Sequence, residues 1–549
     1  MNNQKTFLII AIFLTIFLLW DKWSTDENGN IVMQMVPEET NSSTEVVNNS
    51  LESNLPDVSE VFTENSEDIT TPILSEPLAG GTFTTVVTDL LRVEISHKGG
   101  TIINAFLNAY PKELGSLEKF QLLSNYPGNI LRAESGIITS DNQLLVKSDF
   151  TSERLEYFLD GNSELIVPLS WKSNNGLIVT KNFYFKPDSY IVEVDYQITN
   201  NSSSDEVFKS YTQLVHGSSV ETSGMAMGMQ NFSGGATFND EDVFEKIDFE
   251  DFEPSLKTTS KSGWAAMIQH YFFTAWIPNE NNEEHTYSTN IAKNGNYELS
   301  IINPQIKVLA GETAYLGKNQ LYIGPKEHIR LEELAPGLDK TVDYGFLFIV
   351  AKPLSIFLHW IYSFVGDWAI SIILLTLSIK LAFYKLSEKS FRSMAGMKKL
   401  APRLQKIKET YEGDKQKIGK KTMELYRSEK INPAAGCLPI LVQIPVFISV
   451  YWVLIEMVEL RMTPFLYLPD LAMKDPYFIL PLIMGASMWF QQRLNPPPAD
   501  PIQAKIMMML PVVFTVFFLW FPSGLVLYWV TNNVLSIAQQ VYINKKING

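Results

Sequence analysis

From about residue 367 onward the chain is dominated by five apolar segments, and the first of them, WAISIILLTLSIKLAFY, carries a lone positive charge, Lys380. Runs of this length and apolarity read as membrane-spanning helices, which leaves few ways to fold the C-terminal part. A cation inside such a helix costs roughly 2.5–3.5 kcal/mol on insertion scales, so it usually faces protein or a watery cavity. The rest of the chain can be weighed by asking what that charge is for.

At 549 residues the chain is too long for one ordinary domain. Its mean hydropathy of zero averages a polar front with an apolar back. The net charge of −16 is unevenly spread: residues 24–79 hold twelve Asp/Glu and no Lys or Arg, whereas residues 385–432 hold fourteen Lys/Arg against six Asp/Glu. Beside membrane spans, that basic block reads first as a cytoplasmic loop rather than as a DNA-binding surface. The single cysteine, Cys437, excludes an intramolecular disulfide and a thiolate zinc cluster. The six histidines have no metal-binding spacing, and no phosphate-cradling glycine loop appears, so neither metal, nucleotide nor any other cofactor is expected.

The N-terminus, Lys5 followed by an apolar run from Phe7 to Trp20, is short for a span, but no small-x-small cleavage site follows it. Residues 1–23 therefore read as an uncleaved anchor, with Trp20 and Trp23 at the interface. Residues 24–79 read as an acidic flexible linker, too polar to offset the entropy of ordering. From 80 to 345 the pattern is that of a large β-sandwich. One hairpin is DLLRVEIS–HKGG–TIINAFL, turning at Gly99 and Gly100. In another, Tyr190, Val192, Val194, Tyr196 and Ile198 alternate strictly after a Pro187–Asp188 bend. Residues 351–366, with Lys352, His359 and Trp360, read as an interfacial amphipathic helix.

Five spans at about 367–386, 434–458, 476–491, 505–521 and 524–543 make a core of 367–543, which includes a basic helical hairpin at 385–432. A short basic tail, 544–549, carries Lys545 and Lys546. With both termini cytoplasmic, the basic block falls inside and the β domain outside, in agreement with the positive-inside rule. The hairpin has a narrow apolar seam through Met394, Met397, Leu404, Ile407 and Tyr411. It is either a solvated loop obeying the charge rule or a platform for ribosomal RNA or an anionic nascent chain. Within the spans, Thr376 lies one turn before Lys380 on its face, Gln443 sits in the next span, and Asn532, Ser536 and Gln539/Gln540 form one polar stripe. Singly, each can simply bond a neighbouring helix. Together they offer hydrophilic groups to a common interior, a partly hydrated groove held open by kinks at Pro439, Pro445, Pro481 and Pro511. Lys380 lies ~9 Å from the cytoplasmic end of its span, so a snorkelling placement stays open beside the groove placement.

The blocks NPAAGCLPILVQIPVF (432–447), DPYFILPLIMG (475–485) and FTVFFLWFPSGLVLYWVTNN (514–533) closely resemble the YidC membrane protein insertases of Gram-negative bacteria. The resemblance is strong over 351–543, and in the β domain it is one of position and pattern. It implies an insertase of the bacterial inner membrane that admits nascent membrane proteins, alone or beside the Sec translocon, through a groove carrying one positive charge. The family's usual arginine is matched here by Lys380, which keeps the charge and loses the guanidinium fork. By the same match Thr376, Gln443, Ile444, Phe447, Tyr528 and Trp529 line or border the substrate path, with Asn532 and Ser536 beside them. The hairpin cations Lys398, Lys399, Arg403, Lys406, Lys408, Lys415, Lys417, Lys420 and Lys421 become contacts for nascent chains or the ribosome. The β domain is expected to resemble a sugar-mutarotase-like supersandwich, with no catalytic residues assigned. The rivals are a small-anion transporter, for which no internal repeat is found, and a carbohydrate-binding envelope protein. The latter needs paired carboxylates, for which only Asp240 with Asp242, and Glu250 with Asp251, offer themselves. A lipid scramblase is a milder alternative.

Overall fold

A computed structural model describes residues 81–139, 148–217, 232–240, 243–252, 256–278, 284–292, 294–429, 431, 438–495 and 501–548. The expected anchor and acidic linker lie outside the described residues, as do Asp242, Cys437 and the Asn432–Pro433 break. The described residues divide into two units, one made of those up to Arg392 together with 438–548, and one of those from Ser393 to residue 431.

In the larger unit, period-2 alternation produces the expected β-sandwich. The described strands form a ten-stranded and an eight-stranded sheet, antiparallel apart from the pair Phe83–Val87 with Glu156–Phe158. At the middle of the larger sheet, Asn129–Thr139 lies between Lys119–Tyr126 and Glu206–His216. In the smaller, Thr313–Pro325 lies between Phe272–Ile277 and Ile191–Asn200. Both hairpins read from sequence form: Leu91–Ser96 pairs with Thr101–Pro111, and Leu177–Phe185 with Ile191–Asn200. Tyr190, Val192, Val194, Tyr196 and Ile198 all face the core, packed with Val179, Phe183 and Phe185.

One residue on that buried face is charged. Lys181 is fully buried in the strand Leu177–Phe185, and its Nζ donates to the carbonyls of Gly99 (3.3 Å), Gly100 (2.7 Å) and Ser135 (2.8 Å). Those carbonyls belong to the opposite sheet and its hairpin turn, so the ammonium ties the two layers together. Gly100, at φ +58°, leaves the space: a Cβ there stands 3.0 Å from Lys181 Cδ.

Nine helices are described: α1 (His328–Leu334), α2 (Phe348–Val365), α3 (Trp368–Ala382), α4 (Tyr384–Thr410), α5 (Lys415–Ser428), α6 (Leu438–Glu456), α7 (Ile479–Leu494), α8 (Pro501–Phe517) and α9 (Ser523–Asn548). Gly366, left-handed at φ 68°, stops α2, and the Asp367 carboxylate starts α3 by accepting the Ile370 N–H at 2.9 Å. The expected span at 367–386 breaks at Phe383, where the apolar run gives way to the seamed, charged pattern of α4. Among the described residues, Gly345–Val365 is the one helix both long and apolar enough to cross a bilayer unaided, or one of two if the bent α3–α4 pair is a single span. The apolar helices α3, α6, α7 and α8, of 15, 19, 16 and 17 residues, span about 22–28 Å at ~1.5 Å per residue, close to the ~30 Å of a hydrocarbon core.

The smaller unit is the basic hairpin. Leu400 and Leu425 are buried in its seam, Arg403 reaches Glu429 at 2.5 Å, and Asp414 caps α5 through the Lys417 N–H at 3.0 Å. Lys398, Lys399, Arg403 and Lys406 on α4, and Lys417, Lys420 and Lys421 on α5, are exposed. Lys408 is half-buried, and Lys415 opens α5.

In the larger unit the β domain meets the end of α6 through polar groups. The Arg461 guanidinium lies over Phe120 and Phe272 and donates to the Lys112 carbonyl at 2.9 Å. His270 Nε2 donates to the Ile455 carbonyl at 3.1 Å, and burial, with Lys326 nearby, pushes this histidine down to about 3, which keeps it neutral.

Burial likewise pushes Lys181 down from 10.5 to about 7, against a smaller opposing pull from Glu134. Between those values the unfolded chain holds the proton more tightly than the folded one, so stability rises with pH from about 7 towards 10. Urea unfolding of the β domain, followed by tryptophan fluorescence, is expected to show this slope in wild type and to lose it in Lys181→Met. Lys181→Ala also opens a cavity and strips three carbonyls of their donor, and is expected to cost about 3 kcal/mol or more.

Candidate functional site

Lys380 stands one turn from the C-terminal end of α3, where the helix dipole favours a cation. Its Nζ donates to Ser536 Oγ of α9 at 2.7 Å and to Gln443 Oε1 of α6 at 3.4 Å. Ser536 in turn donates to the Asn532 carbonyl at 2.6 Å, and Gln443 Nε2 donates to the Asn532 side-chain oxygen. The i, i+4 stripe of α9 is thus what faces the cation. Among the described residues no carboxylate pairs with Lys380. The cation is thus hydrogen-bonded by uncharged oxygens while, among the described residues, its charge stays unpaired.

An aromatic wall adjoins this cluster. Phe447, on α6 one turn beyond Gln443, meets Trp529 edge-on at 4.4 Å and stacks on Tyr528 at 6.1 Å. Trp529 also contacts Phe518 and Phe514, and its Nε1 has no hydrogen-bond partner among the described residues. Ile444 is exposed and Tyr528 buried. The structure therefore brings together Lys380, Gln443, Asn532 and Ser536, with Phe447, Tyr528 and Trp529 as neighbours. Thr376 is not brought in: it is fully buried, and its hydroxyl donates to the Ile372 carbonyl of its own helix at 2.7 Å. The same-face relation to Lys380 holds along α3, but packing covers that part of the face.

Asn533 acts where sequence reading assigned no role, and Gln540 of the expected stripe turns to a different neighbour. Asn533 Nδ2 donates to Ser487 Oγ of α7 at 3.1 Å, and Gln540 donates to Asn495 at 3.1 Å. The signal was the Asn532–Asn533 doublet itself, since successive helical residues point about 100° apart and address two different neighbours. Gly485 lets α7 approach α8 closely; a Cβ there stands 1.9 Å from Thr515 Oγ1.

Among the described residues the carboxylates a carbohydrate site would need are engaged locally or exposed singly. Asp240 accepts from Ser260 Oγ and from the Lys261 N–H, while Glu250 and Asp251 are exposed on a short turn. Among the described residues no group of three or more His, Cys, Asp or Glu side chains is placed to hold a metal ion.

The model of the 60Kd inner membrane protein family matches residues 360–549, and that of the YidC periplasmic domain matches residues 84–357. A membrane protein insertase YidC from Ruthia magnifica subsp. Calyptogena magnifica is 58% identical over 100% of both chains. One from Hahella chejuensis is 42% identical over 100% of this chain and 98% of that one. A crystal structure of an active YidC insertase with its first transmembrane domain resolved covers 83% of this chain and 92% of that one, at 16% identity and a TM-score of 0.39.

Water-soluble maleimide is expected to label Gln443→Cys readily in membranes and to leave Thr376→Cys unlabelled. Equal labelling of the two would contradict the placement of Thr376 inside the protein.

Proposed function

The chain belongs to the YidC family of membrane protein insertases, and from that premise we propose that it passes polar segments of nascent membrane proteins across the bilayer along the Lys380 cluster. It is an inner membrane protein with a periplasmic domain. The observation that carries the proposal is a cation held only by uncharged oxygens, Ser536 Oγ and Gln443 Oε1. A carboxylate brought to that point gains a charge partner without displacing one.

The mechanism is physical and needs no covalent step or cofactor. A polar segment otherwise faces ~30 Å of hydrocarbon. The amide and hydroxyl groups of Gln443, Asn532 and Ser536 replace part of its hydration, and Lys380 pairs transiently with an acidic residue. The membrane potential then draws the negative segment outward, contributing about 2.3 kcal/mol per charge per 100 mV. The apolar segment of the substrate leaves sideways past Ile444 and Phe447 on α6 and past α9, where ring faces and aliphatic groups resemble lipid. Both termini lie in the cytoplasm in this arrangement, which puts the basic hairpin where nascent chains emerge. Its exposed cations suit an anionic partner, ribosomal RNA or an acidic chain, and the insertase works alone or beside the Sec translocon. The full-length likeness to membrane protein insertases disfavours the transporter and carbohydrate-binding alternatives.

Protease-protected insertion of a small acidic-tailed membrane protein into liposomes tests the electrostatic role. Lys380→Arg is expected to retain insertion, whereas Lys380→Ala and Lys380→Glu lose about tenfold, the equivalent of ~1.4 kcal/mol. Equal insertion by all four proteins would leave the cluster without an electrostatic part in insertion.

A further inference from the structure

At the outer end of α6, where Ile455 and Val458 pack in the apolar core, a buried ion pair adds a tie to the β domain. Lys326, immediately after the strand Thr313–Pro325, pairs with Glu456, the last residue of α6, at 3.3 Å. Their side chains are 2% and 3% exposed. Just beyond, Glu459 accepts from His359 Nε2 of α2 at 3.0 Å, while His359 Nδ1 faces the Ser355 carbonyl at 2.8 Å. Both ring nitrogens of His359 thus face oxygens, one from α2 itself and one from the segment just beyond α6, which makes this a second polar tie. Beside the two pairs lies a small cavity where the charged groups Lys326, His359 and Glu456 share the wall with the apolar Val342, Val453 and Met457. His328 Nε2 is buried there without a hydrogen-bond partner among the described residues, with Asp339 Oδ2 at 3.9 Å.

Such a joint is a poor device for stability. Replacing a buried ion pair by apolar side chains of similar volume is often neutral or stabilising, while breaking one by removing a single partner is costly. What an ionic joint offers is a way to loosen and re-form, because each buried charge regains hydration when the pair separates. The packing of α6 gives that property a use. Along its length α6 leans mainly on α2 and only lightly on α9, and its inner half carries Gln443 into the Lys380 cluster.

We infer that Lys326 and Glu456 are positioning residues for insertion: their separable ion pair fixes the outer end of α6 while allowing the inner end, with Gln443, to move against α9 as a substrate segment passes. The inference rests on the reading of the Lys380 cluster as the substrate path. Neither residue touches that path; both act through the tilt of α6.

The test uses the full chain in liposomes, with insertion of the acidic-tailed protein and thermal stability measured together. Spin labels at Val442 on α6 and Val534 on α9 report the separation of the two helices. The double variant Lys326→Met with Glu456→Met is expected to be as stable as wild type or more so. It is also expected to narrow the distribution of label distances and to insert at least about fivefold less, the low end for coupling between sites. The exchanged pair, Lys326→Glu with Glu456→Lys, is expected to insert within about twofold of wild type, because the joint is again ionic. Wild-type insertion by the methionine pair, or an unchanged label distribution in it, overturns the inference. Should the methionine pair prevent folding, Lys326→Arg and Glu456→Gln decide: the first keeps insertion and the second loses about fivefold, and equal insertion by both overturns it. Lys380→Ala, run in parallel, separates the two readings. Loss there with none at the joint defeats the joint alone, and no loss at either place defeats the substrate path too.

Discussion

A charged side chain removed from water has to be hydrogen-bonded, yet hydrogen bonding and neutralisation are separate requirements, and the helical core is organised around meeting only the first. Ser536 and Gln443 complete the geometry of the Lys380 ammonium without cancelling its charge. The positions of three helices follow from that. The stripe of α9 must turn toward α3, and α6 must approach far enough for Gln443 to bridge Lys380 and Asn532. Asn533 is then left to bond α7.

Three lysines in this protein, two buried and one half-buried, show how the partner chosen sets the role. Lys181 is surrounded by backbone carbonyls, which are rigid and neutral, and it serves as a staple between sheets. Lys326 faces a carboxylate, which cancels its charge and makes a bond between domain and helix that water can take apart. Lys380 faces flexible amide and hydroxyl groups, which hold it in place and leave its field open. The same side chain thus supplies a fastener, a joint and an attractor, depending on whether its acceptors are fixed, charged or neutral and mobile.

Much of this was legible in the residues. Alternation at 190–198 marked a buried sheet face, Gly99–Gly100 marked a tight turn, and the spacing of Asn532 and Ser536 placed them on one side of a helix. Each of these is local, fixed by the 2.0 or 3.6 residue period. What failed to read through depends on which surface a neighbour covers. Thr376 shares the face of Lys380, but packing encloses it and its own helix satisfies the hydroxyl. Lys181 sits at a core position of a regular strand, and nothing nearby in sequence announces that carbonyls from the opposite sheet await it. The break at Phe383 marks where the apolar pattern ends, a boundary that hydropathy alone blurs. Glu456 was a visible clue, a carboxylate closing an apolar helix, whose partner Lys326 lies too far away in sequence to be paired by pattern.

The order in which the chain is made gives the strand topology a temporal meaning. The middle of the larger sheet, Asn129–Thr139, keeps one edge open until Glu206–His216 has been delivered, and the smaller sheet stays divided until Thr313–Pro325 slots beside Ile191–Asn200. Unpaired edges of this kind invite foreign strands, and pairings across long sequence gaps form slowly. The β domain therefore closes only when its last strand arrives, and the next residue in the chain is Lys326. Completion of the outer domain and provision of the Lys326 anchor for α6 are one event, so a chain whose sheets have not closed lacks that seat for the helix.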